Sequence, residues 1–328
     1  MKILIIGGTG NISWHCVNAL ISQGHDICVL NRNQTLKTRR KVAQEINSVI
    51  MDINDIMAVN QLLDKERFDV IVDFLCYTPV DAKRDLALFS GRCRQFIYCS
   101  SAAVYKRKNE NQSITEERML DAEGWEYSQN KIFCEEIFLE AYRKDQFPIT
   151  IIRPGHTYDT LIPEAVGFGD WTIAQRILQN KPVVVHDKGN SLWTLTHSMD
   201  FASAFIGIVG ECSSIGEAYH ITSNEVLTWN DIMFVLAKAL GKDSPNIKYV
   251  PTEKILLANY NLGISLIGHK KWNDIYNNNK IKKINPLWKP QILFEKGIKM
   301  SIDWLLENPD RQRINVNLDK IIDELCSL

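Results

Sequence analysis

Lys2-Ile3-Leu4-Ile5-Ile6-Gly7-Gly8-Thr9-Gly10-Asn11-Ile12-Ser13 opens the chain with an apolar run, a glycine-rich turn and the start of a helical pattern. A strand feeding a helix through such a turn brings backbone amides and the positive end of the helix dipole to one point. Glycines let the backbone turn tightly there and come close to a ligand, which suits the pyrophosphate of a dinucleotide. A glycine-rich turn alone is a weak sign, and its place at a strand-to-helix junction raises it. The third position of the glycine spacing is Ser13, so the helix must tolerate a small hydroxyl against the strand.

Outward from this turn, the first half of the chain alternates two patterns. Apolar runs at 2–6, 26–30, 48–51, 68–75, 95–99 and 149–152 read as strands. Helical periodicity covers 11–23, closed by Gly24, and then 54–65, 82–89 and 125–143. Repeated βα units with nearly continuous apolar strands predict an α/β fold with a doubly wound parallel sheet. Beyond Arg153-Pro154-Gly155 the rhythm breaks. Helical patterns at 171–179, 199–209, 229–240, 294–307 and 318–325 mix there with short strands and asparagine-rich loops. The expected organisation is a dinucleotide-binding domain over 1–165, to which elements near 190–222 return, and a smaller mixed α/β lobe over 166–328.

A net charge of −1 over 328 residues supplies no general attraction to nucleic acid or an anionic membrane. No stretch has the apolar length of a membrane span. Eight scattered cysteines with no C-x-x-C pair read as reduced thiols, so a cytoplasmic location is expected. Seven histidines without ligand spacing predict no metal site. Between 241 and 300 stand eleven lysines, no arginine and four acidic residues. That stretch reads either as a solvated surface or as a lobe attracting a phosphorylated substrate.

Tyr127 and Lys131 lie four apart in a helical pattern and share one face. A phenol is a poor base at neutral pH, and a neighbouring ammonium favours its ionised form. Ser100-Ser101-Ala102-Ala103-Val104-Tyr105 follows an apolar strand. Serines at the carboxyl end of a parallel strand face the crevice where ligands bind, so Ser101 is a candidate donor to a reacting oxygen beside Tyr127.

Together with Arg153-Pro154-Gly155-His156-Thr157-Tyr158, Gly189…Thr196-His197…Asp200 and Asn277-Asn278-Asn279-Lys280, these residues resemble the extended short-chain dehydrogenase/reductase family, in its nucleotide-sugar epimerase/dehydratase branch. The resemblance implies a Rossmann-type domain holding NAD(P) at Gly7, Gly10, Asn11 and Ile12, with Asn31, Arg32, Asp52 and Ile53 at the adenosine end. It implies Tyr127 as catalytic acid/base, Lys131 on the nicotinamide ribose, and Ser101 on the substrate oxygen. Tyr77, His156, Trp171 and Trp193 are candidate substrate-pocket residues from their loop positions, where ordinary packing would serve equally well. His197, at a strand end before a helix, reads as structural.

Three departures shape the expectation. Asn31-Arg32 replaces the acidic residue that would repel a 2′-phosphate, so Arg32, helped by Arg39 or Arg40, favours NADP over NAD. Ala102-Ala103 stands where dehydratases of the family carry an acidic pair, which argues against a sugar 4,6-dehydratase. Trp193 stands where many members carry a diphosphate-gripping arginine. The leading expectation is an epimerase of a nucleotide-linked or related sugar, acting through a transient ketone. The alternatives are an NADPH-dependent keto-sugar reductase and, in line with RNA-associated relatives in chloroplasts, a non-catalytic binding protein. The resemblance also implies a homodimer.

Overall fold

The computed structural model describes residues 1–32, 40, 46–107, 112–122 and 124–327. Its strands are β1 (Lys2–Ile6), β2 (Asp26–Asn31), β3 (Asn47–Ile50), β4 (Val70–Asp73), β5 (Gln95–Cys99), β6 (Ile149–Pro154), β7 (His156–Tyr158), β8 (Val183–His186), β9 (Leu192–Trp193), β10 (Leu195–His197), β11 (Ala218–Ile221), β12 (Leu227–Thr228) and β13 (Ile247–Val250). Seven of them form one sheet in the order β11-β6-β5-β4-β1-β2-β3, parallel throughout. The order reverses at β1, which lies between β4 and β2. Crevices at such switch points are where ligands bind in open α/β sheets.

The apolar strands are continuous because both faces of the sheet are covered. Side chains alternate along a strand, so Leu4 and Ile6 enter one core with Phe96, Tyr98 and Ile151, while Ile3 and Ile5 enter the other with Val29, Val72 and Ile97. The first core is closed by α2 (Ile56–Lys65), α3 (Pro79–Phe89) and α4 (Glu126–Asp145), after α1 (Ser13–Ser22). The second is closed by α1 and, beyond α5 (Thr172–Leu178), by α6 (Ser198–Phe205). A third apolar cluster gathers Trp171, Trp193, Trp229 and Ile298 with residues of α7 (Trp229–Ala239), α11 (Phe294–Glu307) and α12 (Val316–Cys326). Between α7 and α11 lie α8 (Thr252–Ala258), α9 (Tyr260–Ser265) and α10 (Asn279–Ile284).

Several boundaries differ from the sequence reading for local reasons. The strand expected at 68–75 is confined to β4, and Leu75 leaves it through a turn in which its N–H donates to the Asp73 carboxylate. The helix expected at 82–89 begins three residues earlier, at Pro79. Thr78 and Asp81 form a reciprocal capping box there, with proline in the first turn. The helix expected at 54–65 starts at Ile56, because the Asp55 side chain accepts from Ala58 N at 3.1 Å. The short helices α8, α9 and α10 were not legible as periodic segments.

Candidate active site

The glycine turn is built as a close approach between β1, α1 and the loop after β4. Gly7 has φ +82°, and a Cβ there would meet the Leu75 side chain at 2.7 Å. Ser13, expected only to be tolerated, holds the turn instead. Its Oγ donates to Gly7 O at 2.6 Å and accepts from Gly10 N at 2.8 Å. No described side chain caps the first turn of α1, although Trp14 N donates to Gly10 O, so the positive end of the dipole faces the cleft. The Asn11 amide pins the opposite wall: its Oδ1 accepts from Thr160 N and Leu161 N, and its Nδ2 donates to Thr157 O and Ser198 Oγ.

From this turn a cleft of about 310 Å³ runs past Gly7, Gly10, Asn11 and Ile12 to Ser101, Tyr127 and Lys131. Lys131 is 1% exposed. Its ammonium donates to Cys76 O at 2.7 Å and Cys99 O at 2.8 Å, beneath the ring of Tyr77 at 4.7 Å. Burial disfavours that charge, but electrostatic attraction from Tyr127, Cys99 and Cys76 outweighs it and holds the pKa above the ordinary lysine value. Tyr127, one turn earlier on α4, keeps a partly exposed ring against Trp125 at 5.1 Å. Ser101 caps the short 3₁₀ turn Ala102–Val104, its Oγ accepting from Ala103 N at 3.2 Å. Beneath these groups, Arg153 forms a buried two-point pair with Glu135, which also accepts from Ser100 Oγ. That pair fixes the end of β6 to α4, on which Tyr127 stands.

Ser101, Tyr127, Gly155, Thr157 and Leu161 line this cleft and also a second, larger cavity of about 700 Å³. His156 lines the second cavity. Burial, with Lys270 and His269 nearby, pushes its pKa down to about 3, so the ring is a neutral hydrogen-bonding group at pH 7. Trp193 and Trp171 do not reach it. Trp193 is fully buried against Trp229 and donates its indole N–H to Lys270 O and Trp272 O; Trp171 is 4% exposed in the same apolar cluster. Tyr77 lines the cleft beside Lys131 and a small recess with Arg32 and Asp52, not the larger cavity. His197 accepts from Met199 N at the start of α6.

Residues that sequence reasoning missed complete the far wall: Glu164, His269 and Lys270, with Trp125, Phe168 and Tyr260 presenting rings. Glycines close after Glu164, at 167 and 169, were the available signal. Lys270 was hidden within the lysine-rich stretch. Burial pushes the Glu164 carboxyl up, and burial pushes the Lys270 ammonium down.

A third recess of about 190 Å³ at the ends of β2 and β3 is lined by Asn31, Arg32, Asp52 and Ile53. Arg32 stands 3.6 Å from Asp52 and is half exposed. Arg40 is committed elsewhere: it makes two bonds to Asp159 at 2.9 and 2.8 Å and lies between the rings of Trp14 and Trp304. Arg39 lies outside the described residues. The uncapped helix start, the buried ammonium of Lys131 and the recess beyond form one path whose donors fit a dinucleotide. Among the described residues, no group of three or more His, Cys, Asp or Glu side chains is placed to hold a metal, and no helix is long and apolar enough to cross a membrane.

Comparison with known proteins places the fold in a family. The chain is 27% identical over 263 residues to the chloroplast stem-loop binding protein of 41 kDa b of Arabidopsis thaliana, covering 77% of this chain and 67% of that protein. It is 22% identical over 342 residues to the dTDP-D-glucose 4,6-dehydratase of Mus musculus, covering 94% of this chain and 89% of that one. The solved dTDP-glucose 4,6-dehydratase of Bacillus anthracis, in complex with NAD, superimposes with a TM-score of 0.77 at 20% identity, over 95% and 98% of the two chains. Residues 3–222 match the model of the NAD dependent epimerase/dehydratase family. With its parallel switch-point sheet and more than half its length inside that model, the chain belongs to the NAD dependent epimerase/dehydratase family.

Proposed function

We propose that this protein is an NAD(P)-dependent epimerase of a sugar, working through a transient ketone. The observation that carries the reading is the junction of the two cavities at Ser101 and Tyr127, with Lys131 buried one helical turn from Tyr127. A nicotinamide dinucleotide, held along Gly7, Gly10, Asn11, Ile12 and Lys131 with its adenosine end toward Asn31, Arg32, Asp52 and Ile53, supplies the redox chemistry when bound. Ser101 orients the substrate hydroxyl, and Tyr127 removes its proton as the carbon is oxidised. Lys131, with its ammonium anchored on two carbonyls, favours the ionised phenol. When the ketone is reduced from its other face, Tyr127 returns the proton to the new hydroxyl.

Ala103 lines the cavity beside Ser101, and Ala102 is buried. Neither supplies the second proton-transfer group that elimination of water requires, so the dehydratase activity named for relatives is not the one proposed. A 4-epimerisation of this kind needs none. Of the two arginines lining the adenosine recess, Arg84 is bonded to Asp81, Asp85 and Asn54, which leaves the half-exposed Arg32 to meet a 2′-phosphate, so NADP is the cofactor proposed.

The test is to denature the purified protein and identify the released nicotinamide nucleotide by mass. A near-stoichiometric nucleotide is expected, because an epimerase oxidises and re-reduces within one cycle. An empty protein that binds added NADPH reversibly would replace this reading with a keto-sugar reductase.

A further inference from the structure

A short ridge stands between the cleft that holds Lys131 and the recess at the ends of β2 and β3. Of the described residues, Leu75 and Tyr77 alone line both. Leu75 backs the glycine turn and fills the space that a Cβ on Gly7 would need. Tyr77 is anchored through the backbone. Its N–H donates to the Asp81 carboxylate at 3.0 Å, and the carbonyl of Cys76 just before it accepts from Lys131. The residue is 48% exposed, so its ring is open to whatever occupies the cleft.

The ring lies against a buried charge. Both hydrogen bonds of the Lys131 ammonium go to neutral carbonyls, those of Cys76 and Cys99. An ammonium has three N–H groups, so one remains for a ligand. Two rings lie within cation–π reach of the same nitrogen, Tyr77 at 4.7 Å and Tyr98 at 5.0 Å. Tyr98 is fully buried on β5 and belongs to the floor, whereas Tyr77 also lines the cleft. A ring face attracts a cation more strongly where water is excluded. It also sets direction, because an ammonium that swings away from the ring gives up that attraction.

We propose that Tyr77 is a positioning residue for the cofactor, its ring face holding the Lys131 ammonium with the third N–H toward the nicotinamide half of the dinucleotide. Tyr77, grouped with the substrate pocket on sequence grounds, is thereby assigned to the cofactor side. The inference rests on the reading of the cleft as the dinucleotide site.

Isothermal titration of the full chain, freed of retained nucleotide, with NADPH and with adenosine 2′,5′-bisphosphate tests it; NADH and AMP replace them if the protein holds NAD. The second probe carries the adenosine half and lacks the nicotinamide ribose. Tyr77→Leu should weaken NADPH binding about fivefold or more and leave the bisphosphate within twofold, a split that a general loss of structure would not produce. Tyr77→Phe keeps the ring face and should bind both probes as the parent protein does. Tyr77 is half exposed, so both variants should keep the parent's melting temperature. In the Lys131→Met background, Tyr77→Leu should cost nothing further. Equal NADPH affinity in Tyr77→Leu and the parent would overturn the proposal, as would a loss shared equally by both probes or losses that add in the double variant. A Tyr77→Phe protein as weak as Tyr77→Leu would give the effect to the hydroxyl and overturn it too. A parent protein that binds neither NADPH nor NADH would instead bring down the dinucleotide reading of the cleft, and this inference with it.

Discussion

At the scale of single residues, the side chains placed in the chemistry are held by what surrounds them. Lys131 satisfies two buried carbonyls, those of Cys76 and Cys99. Lys131→Met therefore removes both donors at once, and a denaturant melt should show a loss of ~1–3 kcal/mol for each carbonyl. Cofactor binding should weaken in parallel; an unchanged melt would mean that neither bond matters. Tyr127→Phe should lower turnover by about 10²–10⁴-fold, the usual range for a lost acid/base group, while the released nucleotide stays near stoichiometric. Undiminished turnover would remove Tyr127 from the mechanism. Tyr127, Lys131 and Ser101 were legible because spacing on a helix and position after a strand are local properties. Trp171 and Trp193 were misplaced because an aromatic in a loop pattern reads the same whether it lines a cavity or fills a core. Glu164 and Lys270 are 106 residues apart, and no local pattern connects them.

Elements carry the next level of argument, and the turn between β1 and α1 is the sharpest case. The Ser13 hydroxyl bridges Gly7 O and Gly10 N, so one side chain sets the geometry of a backbone loop that must meet a ligand. Ser13→Ala should cost ~1 kcal/mol of stability, from the lost bond to Gly7 O, which keeps only the longer one from Gly10 N at 3.4 Å. It should also weaken cofactor affinity measured by titration, whereas equal affinity in the two proteins would assign the hydroxyl to folding alone. The sheet strands and the long helices were readable because their apolar residues alternate or recur with a fixed period. Boundaries failed where capping overrode the pattern, as at Asp55 and Thr78. The segment between α7 and α11 failed because helices of six or seven residues complete too few turns to show a stripe.

On the scale of the whole molecule, burial of histidine makes stability depend on acid. Burial holds His156 at about 3 and His186, His197 and His220 at about 4, each below the ordinary value. Each is neutral in the folded protein and would take up a proton on unfolding below pH 6.5. Their contribution is therefore complete above that pH and is lost as the pH falls toward 4, at up to ~1.4 kcal/mol per pH unit for each ring. Melting temperatures recorded from pH 8 to pH 4 should be flat at first and fall steeply below 6.5; a flat profile to pH 4.5 would show these rings to be solvated. The order of the central sheet was foreseeable only as a class, and β11, which joins it from beyond the break in rhythm at 153–155, falls in the stretch near 190–222 expected to return to that domain. The wall facing the glycine turn has one more consequence. Asn11 holds Thr157, Thr160 and Leu161, and Asp159 between them is gripped by His15 and Arg40. Six bonds thus tie the segment 157–161 into the site, three from the Asn11 amide, one from His15 and two from Arg40. Thr157 and Leu161 of that segment line both cavities, so a single asparagine joins the glycine turn mechanically to the wall that the two cavities share.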